Sequence, residues 1–388
     1  MCNGGIVRNP FEYGGIVGAH SFCNRVTELE QLRNAAANAG RLFITGERRV
    51  GKTSLLYRLV EALLSDGFRI ANVDLWRCMD AQDFVRECAA AFGALGDPSP
   101  ERLLDRAGRF FSGLRPSVTV GDDGRPSLLF ASVPRHADDP MLSSLLKVPG
   151  ILAAEDPDRP VLVIFDEFQQ IRDIGEPQIE RLIRSEVQRS GRVAWFFCGS
   201  RKHLLREMFL EGGSPLYRSA ARFPIGPIGR EEWTPFIRER FLQRAVAIPE
   251  DVIGDICSMT TGHPYYTQML CSVIWEWSSP ESTVDRSLIG AALETVIRRE
   301  SDAYHALWES LSVNTRKMLL AAAIEDPLTE PTSDRILSRY DLASPSSAKT
   351  ALNRLVWKDI VEPIEDTYRV SDRFLAIWLR GRFQNGGR

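Results

Sequence analysis

Residues 42–54 read Leu-Phe-Ile-Thr-Gly-Glu-Arg-Arg-Val-Gly-Lys-Thr-Ser. The apolar start, residues 42–44, has the length and bounding of a buried strand. Gly46 to Thr53 then satisfy G-x-x-x-x-G-K-[ST] without deviation, and residues 55–64 carry a helical pattern. Strand, glycine loop and helix in this order make the opening unit of a parallel α/β sheet. The chemistry follows from the residue types. The glycines let backbone N–H groups turn inward around phosphate oxygens. The Lys52 ammonium reaches the β/γ oxygens, and the Thr53 hydroxyl is an oxygen ligand for Mg²⁺. The positive end of the helix dipole adds to the attraction. Gly46, Arg49, Val50, Gly51, Lys52, Thr53 and Ser54 are therefore the candidate nucleotide-binding residues.

Downstream, residues 161–165 (VLVIF) form an uninterrupted apolar run, suited to a central strand buried on both faces. It ends in Asp166-Glu167. Asp166 is the expected Mg²⁺ ligand, directly or through water, and Glu167 the expected general base for the attacking water. No lysine stands in an N-K-x-D context, so ATP is favoured over GTP. A further strand, residues 193–198, ends at Gly199-Ser200-Arg201. Polar residues just past a parallel strand face the ligand crevice, so Ser200 or Arg201 is expected to sense the γ-phosphate or orient water. Arg218 stands just before, and Arg222 at the start of, a last strand at 221–228, where an arginine completes a site in cis or in a neighbouring subunit.

The rest of the chain is organised around this sheet. Residues 1–24 read as extended, and 26–39 as a helix closed by Gly40. A strand covers 69–76, two helical pieces cover 80–115, and a hairpin with a Gly-Asp-Asp-Gly turn covers 116–133. Helices follow at 140–155 and 176–189. Beyond 230 the strand signals stop. Helices are expected at 230–246, 250–261, 264–278 and 284–299, then at 302–311, 314–324, 333–341 and 346–358. Two short strands around an acidic turn follow at 360–370. Three helices and a hairpin are the pattern of a winged helix-turn-helix. The expected fold is thus α/β, with a P-loop domain over 1–228 (insertion near 77–160), a helical lid over 229–300 and a winged helix over 301–388.

Composition narrows the class. The 388 residues are 44% hydrophobic, which excludes wholesale disorder. Forty-eight basic residues against 51 acidic ones give a net charge of −3, so any nucleic-acid contact needs a local patch. Only six of those basic residues are lysines, and one of the six is Lys52. The seven cysteines form no CxxC pair and lie at no zinc spacing from the five histidines. Scattered cysteines suit a reducing compartment, and no apolar run approaches the ~20 residues of a spanning helix. A cytoplasmic protein without membrane segments is expected.

These residues resemble the P-loop ATPases of the AAA+/STAND type, in particular the archaeal-type ATPase family with a C-terminal winged helix. Residues 44–55 match its P-loop, including the paired arginines, and residues 162–169 (LVIFDEFQ) match its Walker B strand with a trailing Gln. Cys198-Gly199-Ser200 resembles its sensor strand end. Asn24-Arg25 with Glu28-Leu29 resembles a lead-in that, in the family, sits near the nucleotide base. Thr261-Gly262-His263-Pro264 resembles the G-x-P signature of the helical lid, where the resemblance implies that Pro264 packs by the adenine. Ser214-Pro215-Leu216-Tyr217-Arg218 resembles a segment whose arginine comes one position later, and Arg373 stands where the family's winged helix has proline. The lid shows the G-x-P element in place of a second sensor arginine, which favours a switch over a processive ring motor.

The expected cofactors are ATP/ADP and Mg²⁺, and the expected activity is a slow, Mg²⁺-dependent ATP hydrolysis that operates a switch. A protein partner or self-association would read its state. Residues 301–388 hold twelve basic and twelve acidic residues, and the wing (Glu362, Glu365, Asp366) is acidic. The presumed recognition helix nevertheless carries Lys349, Arg354 and Lys358 with no acid. A regulatory winged helix, a DNA-binding initiator- or loader-like ATPase and a non-hydrolysing nucleotide scaffold all remain open at this point.

Overall fold

The computed structural model describes residues 8–95, 116–120, 126–130 and 139–383. The chain divides into two compact units, Arg25–Gly226 and a second made of Met1–Asn24 with Pro227–Arg388. Each is taken in turn.

Five parallel strands build the sheet of the first unit: β1 (Arg41–Gly46), β2 (Arg69–Asp74), β5 (Val161–Asp166), β6 (Val193–Gly199) and β7 (Ala221–Ile225). Their spatial order is β2-β5-β6-β1-β7. The two strands β3 (Pro116–Val120) and β4 (Pro126–Phe130) pair antiparallel in a separate ribbon. The described helices are α1 (Val26–Ala37), α2 (Lys52–Ser65), α3 (Ala81–Gly93), α4 (Asp139–Glu155), α5 (Pro177–Arg189) and α6 (Lys202–Leu210). Every residue of β6, and the first five of β5, is buried, as expected of strands covered on both faces. Phe43, Phe165, Phe168, Trp195, Phe197 and Phe209 are fully buried in one cluster. Phe43 and Phe209 stack at 4.8 Å, and Phe168 and Phe197 meet at 4.6 Å. Each such ring stabilises the fold by roughly 1.5–3 kcal/mol.

Several local expectations shift. The helix after the glycine loop starts at Lys52, not at 55. Strand β2 stops at Asp74, whose carboxylate accepts from the Trp76 N–H and opens a short 3₁₀ turn. Helix α6 was not anticipated, because its nine residues are too few to show a clear period. At the end of α1 the left-handed residue is Ala39, with φ 49°, and not Gly40. The second helical piece of 80–115 and the Gly-Asp-Asp-Gly turn lie outside the described residues.

The second unit is helical: α7 (Arg230–Leu242), α8 (Glu250–Thr260), α9 (Pro264–Trp277), α10 (Arg286–Glu309), α11 (Val313–Glu325), α12 (Asp334–Arg339), α13 (Pro345–Trp357) and α14 (Arg373–Phe383), with a hairpin of β8 (Val361–Ile364) and β9 (Thr367–Val370). Residues 284–299 and 302–311, expected as two helices, contribute to the single 24-residue α10. The polar run Arg299-Glu300-Ser301-Asp302 contains no Gly or Pro, so nothing interrupts the backbone. Helices α11 to α13 and the β8–β9 hairpin follow the expected winged-helix order.

The lead-in joins this second unit. Phe11 packs on Phe236 and Phe241, and the Asn9 amide donates to the Ser272 carbonyl and hydroxyl. Arg240 lies over the Phe236 ring and donates to the His20 carbonyl. Between α8 and α9, Gly262 has φ +69°, and a Cβ there would meet the Ile228 carbonyl oxygen at 2.1 Å. That close approach lets the Gly262 carbonyl accept from both Ile228 N–H and Trp233 Nε1, each at 3.0 Å. His263 is then the N-cap and Pro264 the first residue of α9, where its fixed φ is already helical.

Candidate active site

Parallel register brings three strand ends to one edge of the sheet. Thr45 pairs with Gly199, Phe165 with Phe197, and Asp74 with Asp166. The glycine loop, Asp166-Glu167 and Gly199-Ser200-Arg201 therefore all leave the same carboxyl edge, where open α/β sheets hold their ligands.

Two glycines of the loop are required by geometry. A Cβ on Gly46 would lie 2.8 Å from the Ile225 carbonyl oxygen and 2.8 Å from Val50 Cγ1. Gly51 is the left-handed N-cap of α2, with φ +93° and open space where a Cβ would stand. The first-turn N–H groups of α2, including those of Lys52 and Thr53, have no intrahelical acceptor. Lys52 is buried, and its Nζ donates to the carbonyls of Gly46 (3.1 Å) and Glu47 (2.7 Å). Thr53, Arg48 and Arg49 are exposed, and Ser54 and Val50 are buried. Arg49 also takes a left-handed φ of 62°.

Beyond Asp166 the chain turns sharply. Glu167 has φ 49° and is followed by the fully buried Phe168 and a 3₁₀ turn, Phe168–Arg172. The anchored ring and the left-handed backbone fix the direction in which the Glu167 side chain leaves the strand. Its Oε2 accepts from Ser200 Oγ at 3.0 Å and from Gln169 Nε2. The Asp166 carboxylate accepts from the Glu167 N–H at 2.9 Å.

Burial sets the electrostatics. It pushes the Lys52 ammonium below its ordinary value, opposed by negative neighbours that include Glu167 and Asp166. It pushes the Asp166 carboxyl up; the Glu167 N–H and the Cys198 thiol oppose this, and the charges of Glu167 and Asp74 add to it. Like charges at a desolvated strand end are costly until a cation arrives. Thr53 and Asp166 offer hard oxygen donors, the set a Mg²⁺ ion takes when phosphates and water complete its shell. The open cradle at Gly51 and the buried ammonium suit a polyphosphate. The residues present thus fit a Mg²⁺-nucleotide.

The remaining expected residues are distributed as follows. Arg25 is buried, and its guanidinium donates to the carbonyls of Val50 (3.1 Å) and Gly226 (2.7 Å) and to Glu28 (2.7 Å). Arg201 is the half-buried N-cap of α6. Arg218 is exposed and stacks on Tyr217 at 5.1 Å, and Arg222 is exposed on β7. Asn24 and Pro264 belong to the second unit. Sequence reasoning gave no role to Gln169, whose position two residues after Glu167 was the available signal. It also missed Asp74, because the end of β2 beside Asp166 is set only by strand pairing.

A model described as an AAA ATPase domain matches residues 21–196, and a probable winged helix domain matches residues 302–381. No curated protein matches the chain. Among solved structures, a Walker-type ATPase of Pyrococcus abyssi is similar with a TM-score of 0.65 and 17% identity, over 95% of this chain and 99% of that one. The ORC2 protein of Aeropyrum pernix, solved in ADPNP-ADP complexes, is similar with a TM-score of 0.52 and 15% identity, over 93% and 94%. At these identities the likeness is one of fold. No helix of the described residues is long and apolar enough to cross a membrane. The chain thus carries an AAA-type P-loop ATPase domain, matched over residues 21–196, and C-terminal to it a winged-helix domain, matched over residues 302–381.

Proposed function

We propose that this ATPase works as a nucleotide-dependent switch with slow, Mg²⁺-dependent turnover. The carrying observation is the meeting of Lys52, Asp166, Glu167 and Ser200 at one sheet edge, within a buried setting that perturbs both Lys52 and Asp166. In this reading the N–H groups around Gly46, Arg49, Val50, Gly51 and Ser54 hold the phosphates and the Lys52 ammonium neutralises their β/γ oxygens. Thr53 and Asp166 hold Mg²⁺, which supplies charge neutralisation on the phosphates. Glu167 takes the proton of the attacking water while Ser200 orients its carboxylate. Arg201, Arg218 and Arg222 are the candidates for the γ-phosphate, in cis or from a second copy. Asn24, Arg25 and Pro264 are proposed around the base by family resemblance alone. The winged helix passes the nucleotide state to a protein partner. Six cysteines among the described residues are free, buried thiols, which suits work in the cytoplasm.

Glu167→Gln tests the assignment. ADP binding should persist while phosphate release falls by roughly two orders of magnitude or more; turnover equal to wild type removes Glu167 as the base. Wild-type protein that holds ATP and releases no phosphate would instead favour a nucleotide scaffold.

A second reading, direct DNA binding, rests on one observation. The exposed residues of α13 include Ser346, Lys349, Thr350, Asn353, Arg354 and Trp357, with the exposed Lys358 just beyond and no acid among them. A recognition helix presents such a face to a major groove. Duplex binding that weakens steeply with salt, and is lost in Lys349→Glu/Arg354→Glu, supports it. No retention at low salt removes it.

A further inference from the structure

We infer that Gln169 is a positioning residue for hydrolysis: its amide, with the Ser200 hydroxyl, holds the Glu167 carboxylate in the orientation from which it takes the water proton. This rests on the reading of Glu167 as the base. Gln169 is 1% exposed, so its amide has no access to water. Its Nε2 donates to Glu167 Oε2, the oxygen that also accepts from Ser200 Oγ. Both donors converge on one oxygen, and Oε1 of Glu167 takes no hydrogen bond from any described residue. One carboxylate oxygen is held and the other is left to accept a proton.

The other end of the amide shows what this arrangement costs. Gln169 Oε1 is buried without a donor among the described residues. Leaving such a buried acceptor unmade is costly, because it forfeits its hydration without a replacement. Turning the amide over would set its carbonyl against the Glu167 carboxylate, two acceptors with no proton between them. The charge of Glu167 therefore decides the orientation of the Gln169 amide. An amide kept only for packing has no reason to leave its carbonyl orphaned.

Gly199 completes the clasp. A Cβ on Gly199 would lie 2.1 Å from Gln169 Oε1 and 3.0 Å from Leu205 Cδ1. The amide thus lies against the bare Cα at the end of β6, while Ser200, the next residue, reaches the same carboxylate. The turn after β5 and the end of β6 are tied to the base from two directions, which removes the freedom of a half-exposed glutamate side chain.

The experiment measures steady-state ATPase activity with Mg-ATP, ADP affinity and Tm for the full chain in Gln169→Met, Gly199→Ala and Glu167→Gln, singly and with Gln169→Met placed in the Glu167→Gln background. Gln169→Met should lower kcat by roughly tenfold or more, with KM and the ADP Kd within about twofold. Gly199→Ala, which displaces the same amide through its carbonyl, should lower kcat alike and serves if Gln169→Met fails to fold. In the Glu167→Gln background Gln169→Met should add no further loss, because it acts only through that carboxylate. An equal proportional loss in both backgrounds, or wild-type kcat in Gln169→Met, overturns the inference. If Glu167→Gln itself turns over like wild type, the assignment of the base fails and takes this role with it; if Glu167→Gln is inactive and Gln169→Met is fully active, only the role of Gln169 falls.

Discussion

The guanidinium of Arg25 donates to the main-chain carbonyl of Val50, 3.1 Å away inside the glycine loop. The same guanidinium reaches the carbonyl of Gly226 at 2.7 Å, the last residue before the chain passes into the second unit. Arg25 is itself the first residue after the other passage, and Asn24 and Arg25 both hold left-handed φ values of 46° and 71°. One buried cation thus ties the phosphate loop to both points where the chain changes unit.

Removal of that cation should loosen the loop. Arg25→Ala leaves two main-chain acceptors without a charged donor, at an expected cost of roughly 2–3 kcal/mol. Arg25→Lys should recover only part of it, because a single ammonium cannot reproduce the fork. Denaturant unfolding and ADP titration check this. Unchanged stability and affinity in Arg25→Ala would show that the loop stands without the strut.

Asp166 should be destabilising in the nucleotide-free protein. Its folded pKa is raised by burial, so its contribution to stability is fully present below the unfolded value of 3.8 and is lost as pH rises through the folded value. Asp166→Asn cannot ionise. Its Tm at pH 7 should therefore exceed that of wild type, the gap closing as pH falls toward 3.8, while phosphate release drops by roughly two orders of magnitude. A lower Tm at pH 7 would contradict this sign. Lys52 behaves conversely: its pKa is depressed, so stability should rise with pH toward its ordinary 10.5.

Gly262 should tolerate no side chain. Its φ of +69° and the 2.1 Å approach to the Ile228 carbonyl predict a cost of roughly 3 kcal/mol or more for Gly262→Ala. Thermal unfolding reads the loss directly, and a variant as stable as wild type would mean that the α8–α9 turn can open without penalty.

The chemistry-bearing segments were legible because each carries its reason locally. Gly46 and Gly51 are needed for close backbone approach and left-handed φ, Lys52 and Thr53 place an ammonium and a hydroxyl at the start of α2, and residues 161–167 form a buried strand that ends in acids. The three helices and hairpin of the winged helix were visible through period and turn signals. What was not legible depended on partners far along the chain. The run from 286 to 309 reads as two helices by polarity and folds as one. The lead-in precedes the first strand in sequence and folds with the helices beyond residue 227.

The sequence by itself determined that a phosphate loop, a paired-acid strand and a winged helix exist in this protein, since these follow from residue type and spacing. Only the tertiary structure decided which side chains meet. The sheet order β2-β5-β6-β1-β7 seats β6 between the strands of Asp166 and Gly46, so that Ser200 and Gln169 close on Glu167. Strand order and register are set by how buried faces pack against one another across the whole unit, and no local window of sequence contains that information.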